Sequence, residues 1–342
     1  MIETLVVTDR AMTRHDAGAG HPEHAGRLTQ IIDRLERDRV PGIVLRSPRL
    51  ATEAELARVH HPIYTKHILG LRGAARVSLD PDTHLSTGSV EAALMAAGAA
   101  IEAADAVIRG TSRNAFALVR PPGHHAEPGR AMGFCVFNNL AIAVAHARQM
   151  LGIQKVLIID WDVHCGNGTQ VAFAEDPNVV VFDAHRAPFY PFTGDFQDIG
   201  RGAGSGRTWN VPMPAGLGDG DFFRLFEEVL LPAVDCFKPE FVMVSAGFDA
   251  HRDDPVGDQE VSDDGFAALA GIAKAIADRY ASGRLAMVLE GGYDVAAVER
   301  SVMACLAVMG GSTPPTPRQL SQAGDKILRQ AAAVARRRWR TD

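Results

Sequence analysis

The chain has 342 residues, of which 46% are hydrophobic and 22% charged, and its formal net charge is −6. This composition is typical of a globular protein with a large core, and it excludes an intrinsically disordered chain. Phosphate binding favours a basic face, so we expect no direct nucleic-acid partner.

The beginning of the chain, MIETLVVTDR, reaches acidic residues before any long apolar run. It does not have the pattern of a signal peptide, and no later stretch is long enough to span a membrane. The four cysteines, Cys135, Cys165, Cys236 and Cys305, include no CxxC pair. Neither a disulfide framework nor a structural zinc knuckle is indicated, and we expect a cytoplasmic protein.

Short runs of apolar and β-branched residues alternate with longer helical patterns. The predicted strands are 4–9, 116–119, 155–160, 179–184, 241–246 and 285–290, and the predicted helices are 89–109, 138–150, 221–236, 263–281, 294–309 and 319–337. Continuous apolar runs are typical of strands that are buried on both faces of a parallel sheet. The alternation predicts the α/β class, with a single open, mostly parallel sheet and helices on both faces.

No internal repeat or linker divides the chain, so we predict one domain over residues 1–342. The segment richest in Gly and Pro, 186–220, is interpreted as a folded surface loop. Its GRGAGSG run at 200–206 has neither the strand–helix context nor the Lys-Ser/Thr of a phosphate loop. Residues from about 319 to 342 form a predicted C-terminal helix and basic tail, in which RRRWR at 336–340 is interpreted as a solvated, frayed terminus.

Polar residues stand in an unusual pattern where the predicted strand 155–160 ends. Asp160, Asp162 and His164 follow one another at intervals of two residues. Alternate side chains of an extended backbone share a face, so these three point in one direction. Cys165 points in the other direction, and we interpret this free cysteine as buried packing.

Three other predicted strands end in similarly unusual residues. His124 and His125 follow the first, Asp249 follows the second, and Tyr293 comes after two glycines behind the third. In an open α/β sheet the carboxyl ends of the strands line the ligand crevice. We therefore expect these carboxylates, imidazoles and the phenol to meet in one cleft.

The set of Asp162, His164 and Asp249 is a plausible group of metal ligands. A catalytic zinc keeps three protein ligands and one open position for water, although nitrogen and oxygen donors also suit iron, cobalt or manganese. The metal would acidify the water and polarise a carbonyl. His124 and His125 are the candidate bases for that water, so the pattern predicts metal-assisted hydrolysis of an amide or ester.

Other polar residues can assist these groups. Asp160 and Asn167 are placed to orient the two histidines by hydrogen bonds. Tyr293 can donate a hydrogen bond to the oxyanion that forms on attack.

The motifs resemble those of the histone deacetylase and acetylpolyamine amidohydrolase family, and in particular bacterial class II-like histone deacetylase-like amidohydrolases. The matching segments are GHPEHAGRL (20–28), DPDTHLSTGSVEAA (80–93), RPPGHHA (120–126), GFCVFNN (133–139), DWDVHCGNGTQ (160–170), AGFDAHRDDP (246–255) and LEGGYD (289–294). They cover nearly the whole chain in family order and spacing. The resemblance implies the fold shared with arginases and the zinc-dependent hydrolysis of acyl-lysine, acetylpolyamines or other small acylated amines.

The resemblance also implies roles for individual residues. One zinc ion would be held by Asp162, His164 and Asp249. The implied catalytic residues are His125 as general base, His124 paired with Asp160 as its electrostatic partner, Asn167 as the group that orients His125, and Tyr293 as the oxyanion donor. The implied substrate-binding residues are Phe134 and Tyr190, which would wall an acyl-lysine tunnel, and Gly133. A structural potassium ion is implied near Asp160, Asp162, His164, Asp183 and Ala184, largely through backbone carbonyls.

Two positions depart from the family pattern. Cys165 stands where the family usually has a second histidine, and Asp183 stands where many members have serine. That histidine is not a zinc ligand in the family, so we expect the metal site to persist. Asp183 would either strengthen or disturb the potassium site.

Two other functions remain open from the sequence. An arginase-like ureohydrolase with two manganese ions would need further carboxylate ligands at positions occupied by Gly166 and His251. A non-catalytic module would bind acyl-lysine without cleaving it, which the presence of His125, Asp249 and Tyr293 argues against. The expected partner is an acylated amine, and a homo-oligomer is left open.

Overall fold

Eight strands form one sheet in which all neighbouring pairs are parallel, as seen in a computed structural model that describes residues 3–38 and 40–339. A separate two-stranded antiparallel sheet pairs β3 with β4. The strands are β1 (Thr4–Val7), β2 (Ile43–Arg46), β3 (Arg76–Ser78), β4 (His84–Ser86), β5 (Asn114–Ala117), β6 (Val156–Asp160), β7 (Val179–Arg186), β8 (Thr208–Met213), β9 (Phe241–Ala246) and β10 (Leu285–Leu289).

The order of the strands across the large sheet is β2-β1-β5-β10-β9-β6-β7-β8. All residues of β5, β6, β9 and β10 are buried, as their continuous apolar sequences require when helices cover both faces. The prediction of an α/β fold with one mostly parallel sheet is therefore confirmed.

Helices surround the sheet. They are α1 (Gly26–Asp38), α2 (Glu53–Leu56), α3 (Pro62–Gly70), α4 (Ser89–Ile108), α5 (Asn139–Leu151), α6 (Asn167–Phe173), α7 (Asp219–Leu225), α8 (Leu231–Phe237), α9 (Asp263–Tyr280), α10 (Val295–Met309) and α11 (Gln322–Arg338). Short 3-10 segments lie at Arg10–Arg14 and Gly202–Gly204. None of the helices within the described ranges combines the length and apolar character needed to cross a bilayer.

The two strands at the edges of the large sheet were not predicted. In β2 the side chains of Val44 and Leu45 are exposed, so this segment lacks the long buried apolar run by which the central strands were predicted. The interpretation of 186–220 as a surface loop is wrong for its last part, because β8 pairs there with β7. Pro212 argues against a strand in the sequence, because proline cannot donate to the hydrogen-bond ladder inside a sheet. It is tolerated here because β8 is an edge strand.

The predicted helix 221–236 is not one regular α-helix. It consists of α7, a π-helical turn at Phe226–Leu230, and α8. Pro232 lies in the first turn of α8 and has no N–H for an α-helical hydrogen bond to the preceding turn. A wider turn at this point is the expected response to that missing donor.

The interpretation of the C-terminal RRRWR segment as a frayed terminus is also wrong where the structure describes it. Arg336, Arg337 and Arg338 form the last turn of α11, where positive charge is favourable for the helix dipole. The next residue, Trp339, is buried and stacks on Trp209 with ring centroids 5.1 Å apart. The rest of the predicted basic tail, residues 340–342, lies outside the described residues.

We expect Trp339→Ala to lower the free energy of unfolding by about 3 kcal/mol, because a large buried ring leaves a cavity when it is truncated. Urea denaturation followed by circular dichroism measures this change. The matched control is Ile63→Ala, which truncates a side chain that is 86% exposed and should alter stability by less than about 0.5 kcal/mol. Equal stability of the Trp339→Ala variant and the unmodified chain would show that the tryptophan does not anchor α11.

Candidate active site

The site lies at one edge of the sheet because four strands that carry its residues are adjacent. Strands β5, β10, β9 and β6 lie side by side at the centre and run parallel to one another. Their carboxyl ends lead into the histidine pair 124–125, the Gly-Gly-Tyr turn 291–293, Asp249, and the segment 160–164. Buried parallel strands must end at the same edge, so these polar groups face one crevice.

The three predicted metal ligands come together in the structure. His164 Nδ1 lies 3.0 Å from Asp162 Oδ1 and 3.2 Å from Asp249 Oδ2. One donor atom from each residue lies within 4.8 Å of the other two, and all three residues are buried. The second oxygens accept backbone hydrogen bonds, Asp162 from Gly291 at 2.8 Å and Asp249 from Val163 at 2.9 Å. The remaining donor atoms are therefore held toward a common point.

The electrostatics of these three groups require a cation. Burial lowers the pKa of His164, but hydrogen bonds to Asp162 and Asp249 raise it to about 9. Burial, together with the negative charge of Asp162, raises the pKa of Asp249 to about 6. Two buried carboxylates this close compete for positive charge, which a proton or a metal ion can supply. Asp249 Oδ2 approaches only His164 Nδ1 at 3.2 Å and accepts no backbone hydrogen bond from the described residues, so it can serve as a ligand atom.

The two histidines are held in different protonation states. His124 Nδ1 lies 3.1 Å from Asp160 Oδ2, and its Nε2 lies 3.8 Å from Asp162 Oδ1. Burial lowers the pKa of His124, but Asp162 and Asp160 raise it by more. The pKa of His125 is lowered, first by burial and then by the neighbouring positive histidines. The result is a charged imidazole beside a neutral one.

The tautomer of His125 follows from its hydrogen bond to Asn167. Its Nδ1 lies 2.8 Å from the amide oxygen of Asn167, which can only accept. The amide is oriented because its nitrogen donates to Glu127 Oε1 at 2.9 Å. His125 must therefore carry its proton on Nδ1, and Nε2 keeps a free lone pair.

Aromatic side chains surround these groups. The Tyr190 ring lies edge-on to His125 at 5.1 Å, and the Phe134 ring lies edge-on to Tyr293 at 5.9 Å. Phe189, which was not singled out from the sequence, stacks on His164 at 5.1 Å. The structure thus brings both predicted tunnel aromatics to the predicted site.

Gly133 lies where the chain passes closest to His125. A Cβ atom at this position would be 2.4 Å from His125 Cδ2, and the backbone has φ 55°. The loop before β4 supports this turn, because Gly133 donates to Asp82 Oδ1 and Phe134 donates to Thr83 Oγ1. Only glycine allows the turn to pack directly on the histidine ring.

Several supporting residues were missed from the sequence. Glu290 is fully buried and accepts hydrogen bonds from the backbone of Gly123 at 2.6 Å and of His124 at 3.0 Å. Asp254 accepts from the backbone of Tyr293 at 2.6 Å. Glu290 and Asp254 lie in two of the matching motifs, 289–294 and 246–255, but the sequence analysis gave neither residue a role. The available signal was a carboxylate close to the end of a buried strand.

Arg27 is a further supporting residue. Its buried guanidinium donates to the carbonyl oxygens of Gly292 and Glu290 and lies over the Tyr293 ring, 5.2 Å from its centroid. This arginine belongs to the N-terminal segment 20–28, and it fixes the turn that carries the phenol.

The positions that a second arginase-type metal would need do not supply ligands. Gly166 has no side chain, and the Nε2 of His251 lies 3.2 Å from Asp263 Oδ1. The His251 ring also stacks on Phe266. This arrangement argues against the two-manganese alternative.

A parallel α/β sheet with a histidine pair beside an Asp-His-Asp cluster at its carboxyl edge defines the class that includes arginases and deacetylases. Within that class, the sequence profile of the histone deacetylase domain matches residues 21–309, and the chain belongs to the histone deacetylase family. The resemblance seen in the motifs is therefore confirmed.

Individual proteins show the same similarity. A probable deacetylase of Archaeoglobus fulgidus is 38% identical over 312 residues, which cover 90% of this chain and 86% of that protein. A histone deacetylase-like amidohydrolase of Pseudomonas aeruginosa is 38% identical over 304 residues, which cover 86% of this chain and 78% of that protein. The crystal structure of the HDA15 HD domain superposes with a TM-score of 0.92 at 35% identity and covers 98% of this chain and 94% of that chain.

We expect Gly133→Ala to lower the rate of deacetylation by roughly 10- to 100-fold, because the new methyl group displaces the His125 ring. Metal content should not change, since no ligand of the Asp-His-Asp cluster is touched. Steady-state kinetics and metal analysis of the same samples measure both quantities.

The control for this variant is Gly110→Ala. Gly110 also has a positive φ of 71°, but a Cβ there meets nothing within 4 Å. It therefore carries the backbone strain without the clash. Equal loss of rate in both variants would mean that strain, and not the position of His125, is responsible.

Proposed function

We propose that this protein is a zinc-dependent amidohydrolase that removes acyl groups from lysine side chains, polyamines or related small amines. The observation that carries the proposal is the buried Asp162–His164–Asp249 cluster beside a neutral histidine. Membership of a deacetylase family supports the reaction class, and the donor atoms support the metal.

The three ligands suit zinc in number and type. One imidazole and two carboxylates leave a fourth position open, as in catalytic zinc sites. A Cβ added at Gly291 would lie 2.1 Å from Asp249 Oδ2 and 2.6 Å from Asp162 Oδ2, so the absence of a side chain there leaves room between the carboxylates. When bound, zinc would polarise the amide carbonyl and acidify a water molecule.

His125 is proposed as the general base and then the acid for the leaving amine. Its Nε2 lone pair is available because Nδ1 donates to Asn167. Its lowered pKa keeps it neutral, which is the state that a base requires. His124, which Asp160 holds in position, places a protonated imidazole beside it, and this group favours a nearby anionic transition state.

Tyr293 is proposed as the hydrogen-bond donor to the oxyanion. Burial and the negative charge of Asp249 raise the pKa of its phenol, so the hydroxyl keeps its proton. Asp254 fixes its backbone and Arg27 lies against its ring. A held donor stabilises the charge that develops only in the transition state.

The proposed substrate channel is bounded by Phe134, Tyr190 and Gly133. Rings on both sides suit the methylene chain of an acylated amine, which is apolar between its two ends. This geometry fits acyl-lysine, acetylpolyamines and other small linear amides equally. We therefore propose the substrate class and not a single substrate.

We also propose the structural potassium site that the family resemblance implies. Asp160 and Asp183 stand opposite each other in the register of β6 and β7, and both are buried together with Ala184. The backbone carbonyls of these residues, with those of Asp162 and His164, would supply hard oxygen ligands for potassium.

The first experiment combines metal analysis with a substrate panel of acetyl-lysine peptide, trifluoroacetyl-lysine peptide, N-acetylputrescine and N-acetylspermidine. We expect zinc in the purified protein and turnover of at least one panel member. Asp249→Ala should lose the catalytic zinc and activity together. Tyr293→Phe should keep zinc and lose roughly 100-fold in kcat, as for removal of one oxyanion donor.

Two variants serve as controls for these losses. Tyr280→Phe removes another phenol oxygen from a buried position, and Asp253→Ala removes a half-exposed carboxylate paired with Arg300. Both should keep zinc and activity. Full activity of Asp249→Ala would contradict the ligand assignment, and zinc without turnover of any amide would favour a binding module.

A further inference from the structure

The two positions that depart from the family pattern lie against each other in the structure. Cys165 follows the Asp-x-Asp-x-His segment, and Asp183 lies on the neighbouring strand β7. They meet His185, two residues further along β7. Cys165 Sγ, a carboxylate oxygen of Asp183 and a ring nitrogen of His185 all lie within 4.8 Å of one another. This group shares no residue with the cluster of Asp162, His164 and Asp249.

All three side chains are removed from water. Their exposed fractions are 1% for Cys165, 0% for Asp183 and 1% for His185. Buried polar groups of this kind are retained only when each has a partner. The interpretation of Cys165 as simple packing is therefore incomplete, because the thiol is buried against charged groups and not in the apolar core.

The hydrogen bonds of His185 call for an additional positive charge. Its Nδ1 lies 2.7 Å from Asp183 Oδ1, and its Nε2 lies 3.0 Å from the carbonyl oxygen of Gly194. A neutral imidazole carries only one N–H, whereas both neighbouring atoms are acceptors. One of the two contacts would then bring two lone pairs together unless a second proton or a metal ion is present.

The geometry around Gly194 shows how close Cys165 lies to the His185 ring. The position of a Cβ on Gly194 would be 2.6 Å from Cys165 Sγ and 2.7 Å from His185 Nε2. The sulfur and the Cε1–Nε2 edge of the imidazole therefore both line the space over this glycine, and the sulfur lies beside the His185 ring. Zinc binds at about 2.3 Å from sulfur and about 2.0 Å from nitrogen. The nitrogen that can share such an ion with Cys165 and Asp183 is Nδ1, which already lies 2.7 Å from Asp183 Oδ1.

We propose that Cys165, Asp183 and His185 form a second metal site for zinc or a similar borderline divalent cation. A thiolate, an imidazole and a carboxylate are typical zinc ligands, while potassium and magnesium prefer oxygen alone. The Gly194 carbonyl oxygen accepts from the Nε2–H of His185 at 3.0 Å, which leaves Nδ1 free as the ligand atom beside Asp183. The backbone carbonyls proposed for potassium are not among these ligands.

The charge balance of this site is simple. Without metal the Cys165 sulfur carries its thiol proton and accepts a hydrogen bond from Gln170 Nε2 at 3.2 Å. Metal binding forms the metal–sulfur bond and releases that proton to solvent. Thr193 and Asp195, on either side of Gly194, are exposed, which places the site one residue below the surface.

The site also has a structural connection to the proposed general base. Asp183 Oδ2 accepts hydrogen bonds from the backbone of Gly166 at 2.9 Å and from Gln170 Nε2 at 2.7 Å. Gly166 directly precedes α6, and the first residue of α6 is Asn167, which orients His125. A filled second site would hold the beginning of this helix in place.

Cobalt substitution tests the proposal without reference to turnover. Thiolate-bound cobalt has an intense sulfur-to-metal charge-transfer absorption in the near ultraviolet, and the Asp162–His164–Asp249 cluster contains no sulfur. We expect two cobalt ions per chain, with the charge-transfer band. Cys165→Ser should bind one cobalt ion and lose the charge-transfer band. Asp162→Ala should also bind one cobalt ion but keep the charge-transfer band.

The matched control is Cys305→Ser, which changes another buried cysteine whose sulfur contacts the carbonyl of Phe266. It should keep both ions and the band. A single cobalt ion per chain with no charge-transfer band in the unmodified protein would overturn the second site, even if the catalytic zinc is confirmed. Persistence of the band in Cys165→Ser would likewise contradict it.

Discussion

Two carboxylates buried against one imidazole are the constraint around which the candidate site is built. Asp162 and Asp249 lie on neighbouring strand ends, and both have an oxygen close to Nδ1 of His164. Such a group is costly without a cation, because both negative charges are removed from water. The backbone N–H groups of Gly291 and Val163 hold the carboxylates in place, so the fold accepts electrostatic strain that a metal ion would relieve.

The same charges shift the pKa values of the adjacent histidines His124 and His125 in opposite directions. His124 faces Asp160 and Asp162, which favour its protonated form, whereas His125 donates from Nδ1 to the neutral amide of Asn167 and stays neutral. Environments that push the pKa values of neighbouring groups apart are the usual way in which acid and base roles are divided. Glu290 holds the backbone of this pair, so the distinction depends on a fixed loop and not on the histidines alone.

The sequence was sufficient for the centre of the fold. Strands such as β6 and β9 are continuous apolar runs, and their adjacent ends explain why residues distant in sequence meet. The sequence was not sufficient where tertiary context overrides local pattern. The edge strand β8 contains a proline, and the exposed strand β2 has no buried face. Trp339 is buried because it packs against Trp209 and Phe182, which are distant in sequence.

Residues with their own chemistry were easier to recognise than the residues that hold them. The Asp-x-His segment and the histidine pair are conspicuous, and the structure places them together. Glu290 and Asp254 act through backbone N–H groups of other segments, and no local pattern shows which segment will lie beside them. The roles proposed for the catalytic, tunnel and potassium residues stay predictions until the variants are measured.

The second cluster shows how the same edge of the sheet can carry two kinds of metal chemistry. The first group has oxygen and nitrogen donors and lies among aromatic rings, which suits an ion that must accept substrate. The second group replaces one oxygen donor with sulfur and is covered by Gly194, which suits an ion held for structure. Closed sites with thiolate ligands are typical of structural zinc, whereas catalytic zinc keeps an open position. The change at Cys165 without a change at His164 is consistent with this division, because neighbouring side chains of an extended segment face opposite sides and can serve different ions.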